Sequence, residues 1–315
     1  MVLIYLIFLN FQIFYEIIET ITTGSFNEFR IPVFLVIFSL ASPLIEFLIF
    51  FLLPSKWIKL QQEWKSTDIQ LSNCKYNFPK TGWKCDTVSI IIMMSLVIQH
   101  IYLIQSLKYI IRCFDIFLLI ISHLPRCVSN FTDLFIILIS TGLAERYKLM
   151  NNFVINSSIW INHENYWYKL RIIYNTLSNL VKKSDDIISP LILLSFFNNF
   201  LYICTSLFIG ISIEKDINMT TLYSFCSFGF FIIKMMIVLF SLSRVNEQSK
   251  IILSIIYQCP TSKFTIEAQR LQFQLSHDDV TLTGMNFFLI TRRFLLTVAG
   301  TIITYEMFLM KLNVH

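Results

Sequence analysis

Arg292-Arg-Phe-Leu-Leu-Thr-Val-Ala-Gly-Thr-Ile-Ile-Thr-Tyr-Glu-Met-Phe-Leu-Met-Lys-Leu312 decides how this chain folds. The stretch has no proline, and beyond its opening arginines only Glu306 and Lys311 carry charge. Read as a helix, it places Thr297, Thr301, Thr304, Phe308 and Lys311 on one face, because their steps of 4, 3, 4 and 3 follow the helical repeat. Leu312 stands beside Lys311, while Val298, Ile302, Ile303, Met307, Leu309 and Met310 fall on other faces. An apolar helix with a single hydroxyl stripe belongs in a membrane, where such a stripe has two uses. Its hydroxyls either bond carbonyls of their own or a neighbouring helix, or they line a water-filled pore when several copies surround an axis. Lys311 likewise either snorkels to the headgroups or forms a charged ring at the outer mouth.

The rest of the sequence has the same character. Of 315 residues, 55% are hydrophobic and 14% charged, with 31 Phe against 7 Gly and 7 Pro. A soluble domain needs about 25% charged residues to cover its surface. Disordered chains, nucleic-acid binders and disulfide-rich secreted domains are excluded. Seven dispersed cysteines without a CxxC pair indicate neither a disulfide framework nor a zinc site. The fold class is an all-α polytopic membrane protein. Apolar runs of the length that crosses a bilayer, about 20 residues, fall at roughly 2–22, 31–53, 88–111, 128–149, 188–213, 222–243 and 282–312. That makes seven transmembrane helices. Met1 to Tyr15 is uncharged, whereas a cleaved signal needs a basic leader; the expectation is a first span whose upstream half lies outside this sequence.

Basic residues set the orientation. Three inter-span segments, opened by Lys56, Arg146 and Arg244, hold 16 of the 25 Lys and Arg residues. With seven spans they place the N-terminus in the cytoplasm and the C-terminus outside. The sequons at Asn130 and Asn218 fall on the outer side, and the one at Asn156 on the inner side. Trp160 to Val181 repeats its apolar residues at helical spacing, and Arg244 to Leu275 reads as helix broken at Cys259-Pro260. Together they predict a cytoplasmic helical anchor. The run 282–312 would be about 46 Å long as one helix. It therefore either tilts strongly or begins in the cytoplasm, and Arg292 and Arg293 favour the second. Two regions follow: residues 1–243, with spans one to six, and 244–315, with the anchor helix and the seventh helix.

The stretch from Phe287 to Glu306 resembles the last span of insect gustatory receptors, in particular the sugar-receptor branch, whose Thr-Tyr-Glu motif matches Thr304-Tyr305-Glu306. Ser189 to Cys204 is similar to that branch's fifth span, Asp133 to Leu143 to its fourth, Trp57 to Trp64 to the Trp-rich stretch after its second, and Leu282-Thr-Gly-Met285 to the entry of its seventh. The resemblance implies a sugar-gated, non-selective cation channel in the plasma membrane. It implies a homo- or hetero-tetramer with other gustatory receptor subunits, a pore lined by the seventh helix, and a sugar pocket among spans two to six. It implies no enzyme activity and no cofactor. One departure bears on conduction: the family's Gln-Phe at the gate is Lys311-Leu312 here. Ammonium groups ~8 Å apart repel by about 0.5 kcal/mol per pair in water, and several-fold more where desolvated. Lys311 pointing sideways, a mixed channel, a non-conducting or regulatory subunit, and a truncated non-functional member all remain open.

Sugars are held by planar polar groups and aromatic faces. The candidates are Gln99, His100, Asp133, Asn199, Tyr202 and Tyr223. Asp133 leads, since an ionisable group inside a span faces a cavity or a partner; the alternative is a bond to a neighbouring helix, through His100 or Lys108. Gln99-His100 stands where the sugar branch has Glu-His. Asn198 and Asn199 serve equally as links between helices, and Lys234 is expected to snorkel. Neither a nucleophile–base pair, nor a phosphate loop, nor a metal cluster is present in the sequence.

Overall fold

A computed structural model describes residues 30–73, 113–156, 164–212, 219–261 and 264–313. The expected spans 2–22 and 88–111 lie outside these residues. Among the described residues the regular elements are helices, and one isolated β-bridge, Thr283 to Leu289, lies in the non-helical segment before the last of them.

Helix α1 (Arg30–Leu52) is the second expected span. The residue before a proline resists helical geometry, whereas proline itself suits a first turn. The chain accordingly breaks at Leu53-Pro54, and α2 (Pro54–Asn73) leaves at 60° to the end of α1. Three long helices follow: α3 (Cys113–Asn156), α4 (Glu164–Ser212) and α5 (Met219–Tyr257). At 1.5 Å per residue they measure about 66, 74 and 58 Å, twice the hydrocarbon thickness. Each therefore crosses a bilayer and projects well beyond it. The stretch expected to start a separate helix at Trp160 thus runs on without interruption, from Glu164 through the fifth span.

Partner residues fix the packing. Asn130, Glu145 and Asn151 of α3 bond Lys234, Arg244 and Gln248 of α5 in rising order, so these helices are parallel. Tyr147 and Asp133 of α3 meet Tyr174 and Ser195 of α4, so α4 runs against both. At the lower end, where α3 finishes and α4 begins, Tyr147, Trp167, Tyr174, Leu177 and Ile252 are fully buried. Helix α5 stops at Tyr257 ahead of Cys259-Pro260, as expected. Thr265 then caps α6 (Ile266–His277) by accepting a bond from the Ala268 amide, and Ala268, Leu271 and Leu275 complete this lower core.

The final span differs from expectation. Helix α7 begins only at Arg292 and runs to Asn313 (22 residues), about 33 Å. Residues 282–290 fold instead into a tight reversal, with Ile290 N–H donating to Leu282 O (3.1 Å) and Gly284 N–H to Phe288 O (3.2 Å). Met285 and Asn286 take left-handed φ of 51° and 61°. Gly284 is required there: a Cβ would stand 2.4 Å from the Phe288 ring. Asp185 of α4 holds the reversal, accepting from Thr283 N–H and Thr283 Oγ1 at 2.7 Å each.

Candidate functional site

Two features stand out: a buried polar cluster within the bundle and an open groove on α7. The cluster lies where α1, α3, α4 and α5 converge. On α3, about 16 Å separates Asp133 from Ala144, after which charged residues begin. A polar group at that depth needs a partner from another helix.

Asp133 is completely buried, and its Oδ2 lies 2.7 Å from Lys234 Nζ. Lys234 also donates to Asn130 Oδ1 (2.9 Å), and its ammonium lies 5.6 Å from the centroid of the Phe231 ring. Ser195 Oγ donates to Asp133 Oδ1, and Asn199 Nδ2 donates to Oδ2 at 3.3 Å. Beside this group Glu46, also fully buried, accepts from Thr132 Oγ1 (2.8 Å) and Asn198 Nδ2 (2.6 Å). Ser195, Asn198 and Asn199 occupy one face of α4 because they are spaced three and four apart.

Lys234 is therefore 5% exposed and paired across helices, which corrects the expectation that it snorkels. Its long stem does not reach the headgroups because Asp133 lies opposite on α3. Asn130 is buried at the same contact, so its sequon is not an accessible glycosylation site. Of the expected sugar-binding residues, Asp133 and Asn199 meet directly, and Tyr202 stacks on Phe231 with centroids 5.0 Å apart. Gln99, His100 and Lys108 lie outside the described residues, and for Tyr223 the helical backbone alone is described. Glu46 was missed by the sequence reading, although the rule that singled out Asp133 applies equally to an acid inside span two.

The cluster is rich in acceptors. Asp133 takes the Lys234 ammonium, Glu46 accepts from the neutral groups of Thr132 and Asn198, and Asn198 Oδ1 and Asn199 Oδ1 are buried without a hydrogen-bond partner. Groups of this kind are complementary to a molecule that brings hydroxyl donors. Among the described residues no group of His, Cys, Asp and Glu is arranged to hold a metal ion.

The second feature is a groove of about 600 Å³ lined by Thr297, Gly300, Thr301, Thr304 and Tyr305. Helix α7 turns Leu295, Val298 and Ile302 toward the bundle and leaves the threonine face uncovered. Each threonine donates to a carbonyl one turn back: Thr297 to Arg293 O (3.1 Å), Thr301 to Thr297 O (2.9 Å) and Thr304 to Gly300 O (2.8 Å). With its proton so engaged, each hydroxyl oxygen keeps lone pairs free. Leu296, Ile303 and Met307 are also strongly exposed on α7. For Glu306, Phe308, Lys311 and Leu312 the helical backbone alone is described.

The family model described as Trehalose receptor matches residues 107–315. Gustatory receptor for sugar taste 64f of Drosophila melanogaster is 27% identical over 293 residues, covering 83% of this chain and 62% of that protein. Gustatory receptor for sugar taste 64b is 34% identical over 179 residues (56% and 44%), and Gustatory receptor 5a for trehalose 29% over 184 residues (58% and 41%). The chain thus spans less than two thirds of the length of these relatives. Among solved structures, the insect olfactory receptor OR5 from Machilis hrabei superposes with a TM-score of 0.70, at 13% identity, over 99% of this chain and 88% of that one. The same receptor in complex with eugenol gives 0.68 at 11% identity, over 98% and 88%. At that identity the likeness establishes the fold.

Proposed function

The chain belongs to the trehalose receptor family, and from that premise we propose that it is a subunit of a sugar-gated, non-selective cation channel. It is a multi-pass plasma-membrane receptor and not an enzyme. The observation that carries the channel reading is the uncovered threonine face of α7. An apolar bundle gains nothing by leaving that face unpaired in a single chain. Four copies around an axis would turn the threonine oxygens toward permeant cations, with Phe308, Lys311 and Leu312 near the outer gate.

The sugar site in this reading adjoins the buried cluster. Asp133 and Asn199 form its acceptor wall, Tyr202 supplies an aromatic face, and Gln99, His100 and Tyr223 contribute from the neighbouring spans. Sugar opens the channel by binding the open arrangement more tightly than the closed one. In this reading the N-terminus is cytoplasmic and the C-terminus extracellular, which the placement of the basic residues supports.

The test is inward cation current evoked by trehalose or sucrose in cells expressing the chain, alone and with a second gustatory receptor subunit. Asp133→Ala is expected to weaken the sugar response at unchanged surface expression. Intact sensitivity in that variant would overturn the sugar-site assignment. A second reading, a non-conducting or regulatory subunit, is favoured specifically by Lys311 at the gate position. Lys311→Gln separates the two, because current rises in that variant only if the lysine ring is the block.

A further inference from the structure

Helix α4 touches both features through adjacent faces. Ser195, Asn198 and Asn199 enter the polar cluster. Phe196, one residue on and about 100° around the helix, points instead to the base of α7. Its ring centroid lies 5.1 Å from that of Phe288 and 5.7 Å from that of Phe294, and those two rings stack with centroids 4.7 Å apart and 6° between planes. Phe288 belongs to the reversal that feeds α7, and Phe294 to its first turn. Phe196 also stacks with Phe200 one turn along α4, so its own position follows that helix.

Below this point α4 is fastened. Asp185 grips Thr283, Lys182 pairs with Asp278 (2.8 Å) and Arg171 with Glu267 (2.9 Å). Between the fastened and the sensing parts stands Pro190, inside the helix. A proline there removes one backbone bond and crowds the preceding turn, so the helix bends most readily at that level. A pivot at that level would carry the polar face and Phe196 together above the fastened base.

We propose that Phe196, seated against Phe288 and Phe294, is the positioning residue through which rearrangement of the Asp133–Lys234 cluster moves the base of α7. The route is short and rigid: the Asp133 carboxylate, Ser195, the backbone of α4, then a three-ring contact. Gly284 belongs to it as well, since it leaves room for the Phe288 ring. The inference rests on reading α7 as the helix that moves, but not on which sugar binds or whether current flows.

The test is accordingly made without ligand and without current, on the full chain in cell membranes. Thr301→Cys places a thiol in the α7 groove, and its rate of modification by a charged thiol reagent is measured against the same chain without that change. In this background Asp133→Asn is expected to shift the rate about fivefold or more, the lower end of site-to-site coupling. Once Phe196→Leu is present, Asp133→Asn is expected to have no further effect. Phe288→Leu, on the other side of the contact, carries the same expectation and serves if Phe196→Leu does not reach the surface. An unchanged rate on Asp133→Asn overturns the inference, and so does a shift of equal size with and without the Phe196 change. Absence of sugar-evoked current would count against the channel reading and leave this measurement standing.

Discussion

Removing the Lys234 ammonium while keeping its bulk, as in Lys234→Met, isolates what the buried ion pair does. Lys234 and Asp133 are 2.7 Å apart with side chains 6% and 0% exposed, so water cannot replace the lost partner. Deleting one member of such a pair strands the other charge and costs about 3–5 kcal/mol. Asn130 loses its donor too, while Ser195 and Asn199 still bond Asp133 and limit the damage. The expected loss is about 4 kcal/mol, which at roughly 2–4 °C per kcal/mol for a chain approaching this size is on the order of 10 °C in Tm. Adding Asp133→Asn to Lys234→Met removes the stranded charge, and most of the loss is expected to return. The assay is thermal melting of the detergent-solubilised chain, followed by the recovery of a monodisperse peak. If Lys234→Met melts within about 2 °C of the parent, or if the double variant loses the sum of the single losses, the pair is not the buried, mutually dependent contact described.

Gly142→Ala sets a Cβ 2.9 Å from the Trp64 ring, and the displaced indole also loses the Arg146 guanidinium 4.2 Å above it; a loss of about 1–3 kcal/mol is expected in the same melt. At Glu267, partial burial pushes the carboxyl upward, but bonds from Arg270 and Arg171 outweigh it and hold the group below its usual range. The stability it contributes is present above its unfolded value near 4.3 and is lost as pH falls through the lower folded value; Glu267→Gln is expected to flatten that part of the melting-versus-pH curve. Trehalose-evoked current in Thr301→Cys channels is expected to fall on exposure to a charged thiol reagent, whereas the parent channel keeps its current.

The helices were legible where local physics decides them. Uninterrupted apolar runs predicted the spans in α1, α3, α4 and α5, and Pro260 marked the end of α5. The start of α7 was not legible. No proline separates Leu282 from Arg292, and the reversal there depends on Asp185, nearly a hundred residues earlier, and on the Phe288 ring lying over Gly284. A pattern read along one segment contains neither contact. The site divided in the same way. Asp133 was visible as an acid inside a span, but its partner was not, because Lys234 lies 101 positions away and only the packing of α3 beside α5 brings the two together. Glu46 was visible by the same rule and was passed over. The threonine face of α7 was legible in full, since spacing alone fixes which residues share a helical face.

The account turns on where that face points in the assembled receptor. A single-particle reconstruction of the purified protein in lipid decides it. The prediction is four α7 helices around a central axis, with Thr297, Thr301 and Thr304 turned inward along a continuous conduit. A particle in which those threonines face lipid or seal against another helix, with no central passage with or without trehalose, would contradict it.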